Sequence, residues 1–122
     1  MVMQPEKFNA NYDPDGDVLT LYKDNVVQES IEVTDELIID IDKDKNIVNV
    51  ELLNAYQFLH TLNESISLEM LSDLKEAKIN VKRYRDYWIL LLSFEYHNQT
   101  IEEKLPAFVA VDFKSPLVAS SA

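Results

Sequence analysis

A chain of 122 residues, 47% hydrophobic and 27% charged, is long enough for one ordinary hydrophobic core and too apolar for a disordered chain. Its formal net charge of −11 repels a phosphate backbone over most of the surface, which weighs against nucleic acid as a partner and suits a basic protein. Without cysteine there is no disulfide framework and no thiolate metal site, and with a single Gly few turns can rely on free access to positive φ.

In chain order, the opening "MVMQPEKFNANYD" has no apolar core of the secretory kind, and the longest apolar run, Trp88 to Leu92, is too short to span a bilayer. A cytoplasmic protein without membrane contact is expected. "FNANYDPDGDVLTLYKDN" predicts strand, turn and strand, with Pro14, Asp15 and Gly16 supplying the turn chemistry. A strand over "QESIEV" follows, then a "TDE" turn. In "LIIDID" Leu37, Ile39 and Ile41 share one face, while Ile38, Asp40 and Asp42 share the other. "IVNVELL" returns with Val48, Val50 and Leu52 on one face, completing an antiparallel meander.

The period then changes. Asn54 with Gln57 three residues on predicts a capping box opening a short helix over "AYQFLH". Ser67 caps a second helix running through "SISLEMLSDLKEAK", with Leu68, Leu71 and Leu74 as its buried stripe. Strands resume as "INVKRYR", "YWILLLSFEYH", "TIEEKL" and "FVAVDF". The second of these is apolar on both faces, which predicts a central strand covered on both sides. The tail "ASSA" is expected to fray.

A 70-residue shift lays Gln28–Val48 over Asn98–Val118 without a gap. Ile31 meets Ile101, Glu32 meets Glu102, Asp42 meets Asp112 and Val48 meets Val118; upstream, Leu19 and Leu21 fall on Ile89 and Leu91. A duplication would place two similar β units around the helical segment. The expected fold class is therefore α+β, mainly antiparallel β meanders with a helical segment between two similar units. One compact domain is expected over 1–122: β unit 8–54, helical segment 55–78, β unit 79–118 and tail 119–122.

"YDPDGDVLTLY", "ESIEV" and "LIIDIDKDKNIVNVELLNA", within residues 12–55, resemble the family of domains of unknown function numbered 2283. The resemblance implies a β-rich domain with no established activity, so it transfers no catalytic residue. Lys45 stands where that family usually has Gly, and Asn54 where it usually has Asp. If the turn needs positive φ, Lys45 pays about 1–2 kcal/mol for it, unless Asn46 takes that conformation instead. Proteins resembling this family are often encoded beside small basic proteins that look like RNase-type toxins, which implies an antitoxin-like partner role.

Two stretches carry candidate sites. "DIDKDKNIVNVE" sets Asp40, Asp42, Asp44 and Glu51 near the spacing of a calcium loop. The residues before Asp40 are β-type, Lys45 replaces the Gly of such a loop, and Lys43 and Lys45 put positive charge inside the cage. A hairpin accounts for the spacing better, and no metal or other cofactor is expected. "KEAKINVKRYRDYW" is the basic cluster, in which Lys82, Arg83, Tyr84, Arg85 and Trp88 are the candidate interaction residues. Basic groups interleaved with aromatics suit single-stranded nucleic acid or a small ligand. Pairing with the acidic front half, within the chain or in a homodimer, is the competing use; residues 1–54 hold 13 acidic and 4 basic side chains. His60 and His97 lack neighbours at ligand spacing, and one Gly cannot build a phosphate-cradling loop. No catalytic residue stands out, so a non-catalytic interaction module is expected.

Overall fold

The computed structural model describes residues 5–107. The elements are β1 (Glu6–Asp13), β2 (Val18–Tyr22), β3 (Glu29–Thr34), β4 (Leu37–Ile41), β5 (Ile47–Leu53), α1 (Ala55–Leu62), α2 (Leu68–Asp73), β6 (Glu76–Arg83), β7 (Trp88–Tyr96) and β8 (Gln99–Ala107). All eight strands lie in one antiparallel sheet in the order β3-β4-β5-β2-β1-β6-β7-β8. The expectation of an α+β fold dominated by antiparallel meanders holds: β3-β4-β5 and β6-β7-β8 are the meanders, and the β1-β2 hairpin joins them.

Period-2 alternation decides which face is buried. Leu19 and Leu21 of β2 stand opposite Leu52 and Val50 of β5, which in turn face Leu37 and Ile39 of β4. On the other side Phe8 meets Ala77, and Ile79 and Leu92 are paired across β6 and β7. These side chains are all buried, and Leu59, Ile66, Met70 and Leu71 of the helical segment join their cluster. The helices lie over the core face because β5 pairs with β2 while β6 pairs with β1, so the chain must cross two strands between them.

Several expectations are corrected. The second helix ends at Asp73 rather than Lys78, because Glu76, Ala77 and Lys78 pair with Asn9, Phe8 and Lys7 along the open side of β1. A backbone ladder outweighs the helix propensity of "KEAK". Leu68 is exposed, and Met70 takes its place in the buried stripe. β7 is the penultimate strand among the described residues rather than a central one. Trp88, Leu90, Leu92 and Phe94 are buried, whereas Ile89, Leu91 and Ser93 on its outer face are half-buried.

The sheet order does not repeat over the described part of the 70-residue offset. β7 and β8 form a hairpin, but β2 and β3, which the offset lays over them, have β4 and β5 between them. Leu19 and Leu21 are buried where Ile89 and Leu91 are half-buried on the other face. The remainder of the offset, the "FVAVDF" strand and the tail lie outside the described residues.

Candidate interaction surface

Strand direction alternates, so the loops fall at two ends of the sheet. One end gathers the Lys23–Gln28 loop, the β4-β5 turn at 42–46 and the β6-β7 tip at 84–87. The other gathers the β1-β2 and β3-β4 turns with the helices. Both stretches singled out from sequence belong to the first end, which we call the tip end.

Residues 40–51 form the β4-β5 hairpin. The Asp42 carboxylate accepts the backbone N–H of Asn46 at 2.9 Å and that of Asp44 at 2.9 Å, with the Asn46 amide at 3.4 Å. These donors, the Asn46 N–H foremost, hold its carboxyl below the usual carboxylate range. Asp42 is thus committed to closing its own turn. Asp40 accepts the Asn49 amide at 3.1 Å through one oxygen, while the other is buried without a hydrogen bond from the described residues. Glu51 lies opposite Ile38, a strand length from Asp44. Lys45 itself takes the left-handed conformation, φ 67, rather than Asn46. Among the described residues no group of three or more His, Asp or Glu is placed to hold a metal ion.

The basic cluster is divided by the fold. Trp88 is 3% exposed, inside the core, and the Arg83 guanidinium lies 4.7 Å over its ring. Arg83 also donates from Nη2 to the Lys45 carbonyl at 3.0 Å. The sheet curls far enough for the end of β6 to reach the β4-β5 turn. Lys82, Tyr84 and Arg85 remain exposed, and Tyr84 stacks on Tyr87 with ring centroids 5.0 Å apart across the tip. Two uses of this cluster therefore separate: Arg83 and Trp88 tie the curl, while Lys82, Tyr84 and Arg85 face outward.

Sequence reasoning passed over the Lys23–Gln28 loop. Val26 is 84% exposed and Val27 46%, beside Tyr22 at 36%. Two adjacent β-branched residues in a stretch without alternation were the available signal. Asn25, Val26 and Gln28 form one wall of a cavity of about 470 Å³, and Asp42, Lys43 and Asp44 form the other. Loop, turn and tip are hence contiguous, joined by the cavity on one side and the Arg83–Lys45 contact on the other.

A second constellation lies at the helical end. Asp17, with φ 55, accepts the Tyr12 hydroxyl at 2.6 Å and the Tyr56 N–H at 2.8 Å through its carboxylate, and the Ala55 N–H at 2.9 Å through its carbonyl. It caps α1 from a distant turn. Asn54 stands at the N-cap position in the left-handed region with no side-chain cap, so the expected capping box is not formed. Burial foremost, then the Asp17 hydrogen bond, pushes the Tyr12 phenol well above its ordinary value.

Residues 9–55 match the family model described as "Protein of unknown function (DUF2283)". The match runs from Asn9, within β1, to the first residue of α1 and agrees with the resemblance seen in the sequence over 12–55. No curated protein and no solved structure matches the chain. No helix among the described residues is long and apolar enough to cross a membrane.

Proposed function

We propose that the protein is a non-catalytic interaction module that engages a basic protein partner through the tip end of its sheet. The observation supporting this is where the exposed apolar surface lies. Six large apolar side chains are exposed among the described residues, and four of them, Tyr22, Val26, Val27 and Tyr84, belong to this end. Apolar residues at one end of the sheet, one of them bordering a cavity and all near charged groups, have the makings of a binding surface. The expectation of a basic partner comes from the net charge of −11 and from Asp42 and Asp44 on the cavity wall. An antitoxin-like, inhibitory role is the specific form this reading takes.

Co-purification tests it. The tagged protein and a Val26→Asp/Tyr84→Asp variant are isolated at low ionic strength, and bound components are identified by mass spectrometry. A stoichiometric basic protein, released by salt and lost from the variant at unchanged melting temperature, is the expected result. Recovery of the protein alone, or equal retention by the variant, removes the reading. Exposed Lys82, Tyr84 and Arg85 favour a second reading, a nucleic-acid or small-ligand binder; in that case nucleic acid replaces protein in the eluate.

A further inference from the structure

We infer that β3 is an open edge that takes up an extended basic segment of a partner protein as an added strand, with one Lys or Arg side chain entering the cavity between Asn25–Gln28 and Asp42–Asp44. The inference rests on the interaction-module reading and names its mode.

β3 ends the sheet and pairs only with β4 among the described residues, so one side of its backbone has no ladder from them. Unpaired strand edges recruit strands unless they are blocked. The two outer strands differ in how they are blocked. β8 turns Glu103 into the core face opposite Leu92, only 8% exposed, and Pro106 lacks an N–H for a ladder. β3 has no Pro; its one core-side carboxylate, Glu29 opposite Ile41, is only half-buried, and its register with β4 shifts between Glu32 and Thr34, at the end away from the cavity. Its core-side residues Ile31 and Val33 lie at the margin of the hydrophobic cluster, where an added strand's apolar side chains would extend it.

Charge selects the occupant. Glu32 projects from the outer face and Glu29 stands at the start of the strand. Pairing two copies of β3 would bring four carboxylates into one ribbon, which like-charge repulsion disfavours. A strand alternating apolar and basic residues instead sets the apolar ones against Ile31 and Val33 and a cation against Glu32. Followed toward its start, the edge leads through Gln28, whose N–H bonds the Ile41 carbonyl at 2.8 Å, to exposed Val26 and the cavity walled by Asp42, Lys43 and Asp44, where acidic groups outnumber the single cation. That cavity accepts the long stem and cationic head of Lys or Arg, the stem against Val26 and the head toward Asp42 and Asp44.

The probe is a short synthetic peptide alternating Val and Lys, added at low ionic strength to the isotope-labelled full chain and followed by amide NMR. Two controls accompany it: the same peptide with alternate backbone nitrogens methylated, and one of equal composition with its lysines in a block. Shifts and exchange protection at Glu29–Thr34 are expected, with at least about tenfold weaker binding of both controls. The Glu29→Lys/Glu32→Lys variant should lose the alternating peptide while keeping its fold. Equal binding of the methylated peptide, shifts confined to the helical end, or no binding at all overturns strand addition. Failure of strand addition leaves the native partner's sensitivity to Val26→Asp/Tyr84→Asp in place, whereas failure of the module reading abolishes it.

Discussion

Asp17 has three partners drawn from three parts of the chain. Its carboxylate takes the Tyr12 hydroxyl from β1 and the Tyr56 N–H from α1, and its carbonyl takes the Ala55 N–H. A left-handed backbone at φ 55 is what aims it back at the helix, and Asp tolerates that region better than most residues. Removing the carboxylate leaves a hydroxyl and a helix N–H without acceptors. Asp17→Ala is expected to cost about 2–3 kcal/mol in urea denaturation, Tyr12→Phe about 1 kcal/mol, and Asp17→Asn an intermediate amount because it keeps an acceptor oxygen. The Tyr12 phenol adds a pH signature. Its folded pKa is raised, so the stability it confers is complete below the unfolded value near 10 and is lost as pH climbs through the folded value. Tyr12→Phe should therefore flatten the alkaline limb of the stability profile. An unchanged limb would mean that Tyr12 titrates alike in the folded and unfolded chain. The DUF2283 match runs from Asn9 to Ala55 and so holds the clasp except Tyr56.

At the scale of elements, the β4-β5 turn combines a satisfied acceptor with a strained backbone. Asp42 gathers the N–H groups of Asp44 and Asn46, while Lys45 carries φ 67 with a Cβ that Gly would lack. Lys45→Gly relieves that strain and gives back part of the gain to unfolded-state entropy; a net stabilisation of about 1 kcal/mol is expected by denaturation. Asp42→Ala should destabilise at neutral pH. Because the folded pKa of Asp42 is lowered, its contribution is present above the unfolded value and fades as pH falls through the folded one, so variant and wild type should converge in acid. A constant gap would assign the effect to packing instead. This turn also marks how far the sequence could be read. Alternation located all the strands among the described residues and the buried sides of β4 and β5, because burial acts on every second residue. A single Gly implied few left-handed positions, yet Asp17, Lys45, Asn54, His97 and Asn98 all take positive φ and Gly16 does not. Asx and His side chains stand in for Gly at four of these five, a substitution that composition does not reveal. The Asp17 clasp and the Arg83–Lys45 contact were equally hidden, since each joins residues whose proximity arises only from the sheet order. The C-terminal part predicted for α2 does not form, because local propensity cannot register the open side of β1.

For the whole molecule, the net charge of −11 is unevenly placed. The helical end carries Asp13, Asp15 and Asp17 at one turn, Asp35 and Glu36 on the next, and Glu64, Glu69 and Asp73 on the helical segment; Lys75 and Lys78 stand near Asp73. The tip end balances Glu6, Asp24, Glu29, Asp42, Asp44 and Asp86 against Lys23, Lys43, Lys45, Lys82, Arg83 and Arg85. Self-repulsion therefore concentrates where the helices lie. The tip end, near neutrality, can approach another macromolecule at lower electrostatic cost, and a basic partner would be steered by the far end before docking at the near one. Salt reports on this directly. Screening shortens the reach of charge to about 10 Å at 0.1 M ionic strength, so the melting temperature should rise as salt is added from very low ionic strength. Asp15→Lys with Asp35→Lys, both at exposed turn positions of the helical end, should raise the melting temperature at low salt and shrink the gain that salt provides. Asp24→Lys at the tip end reverses the same kind of charge where cations are already plentiful, and should do neither. Differential scanning calorimetry across a salt series separates the cases. If Asp24→Lys stabilises as much per charge as the helical-end pair, the repulsion is spread evenly and the steering argument loses its basis.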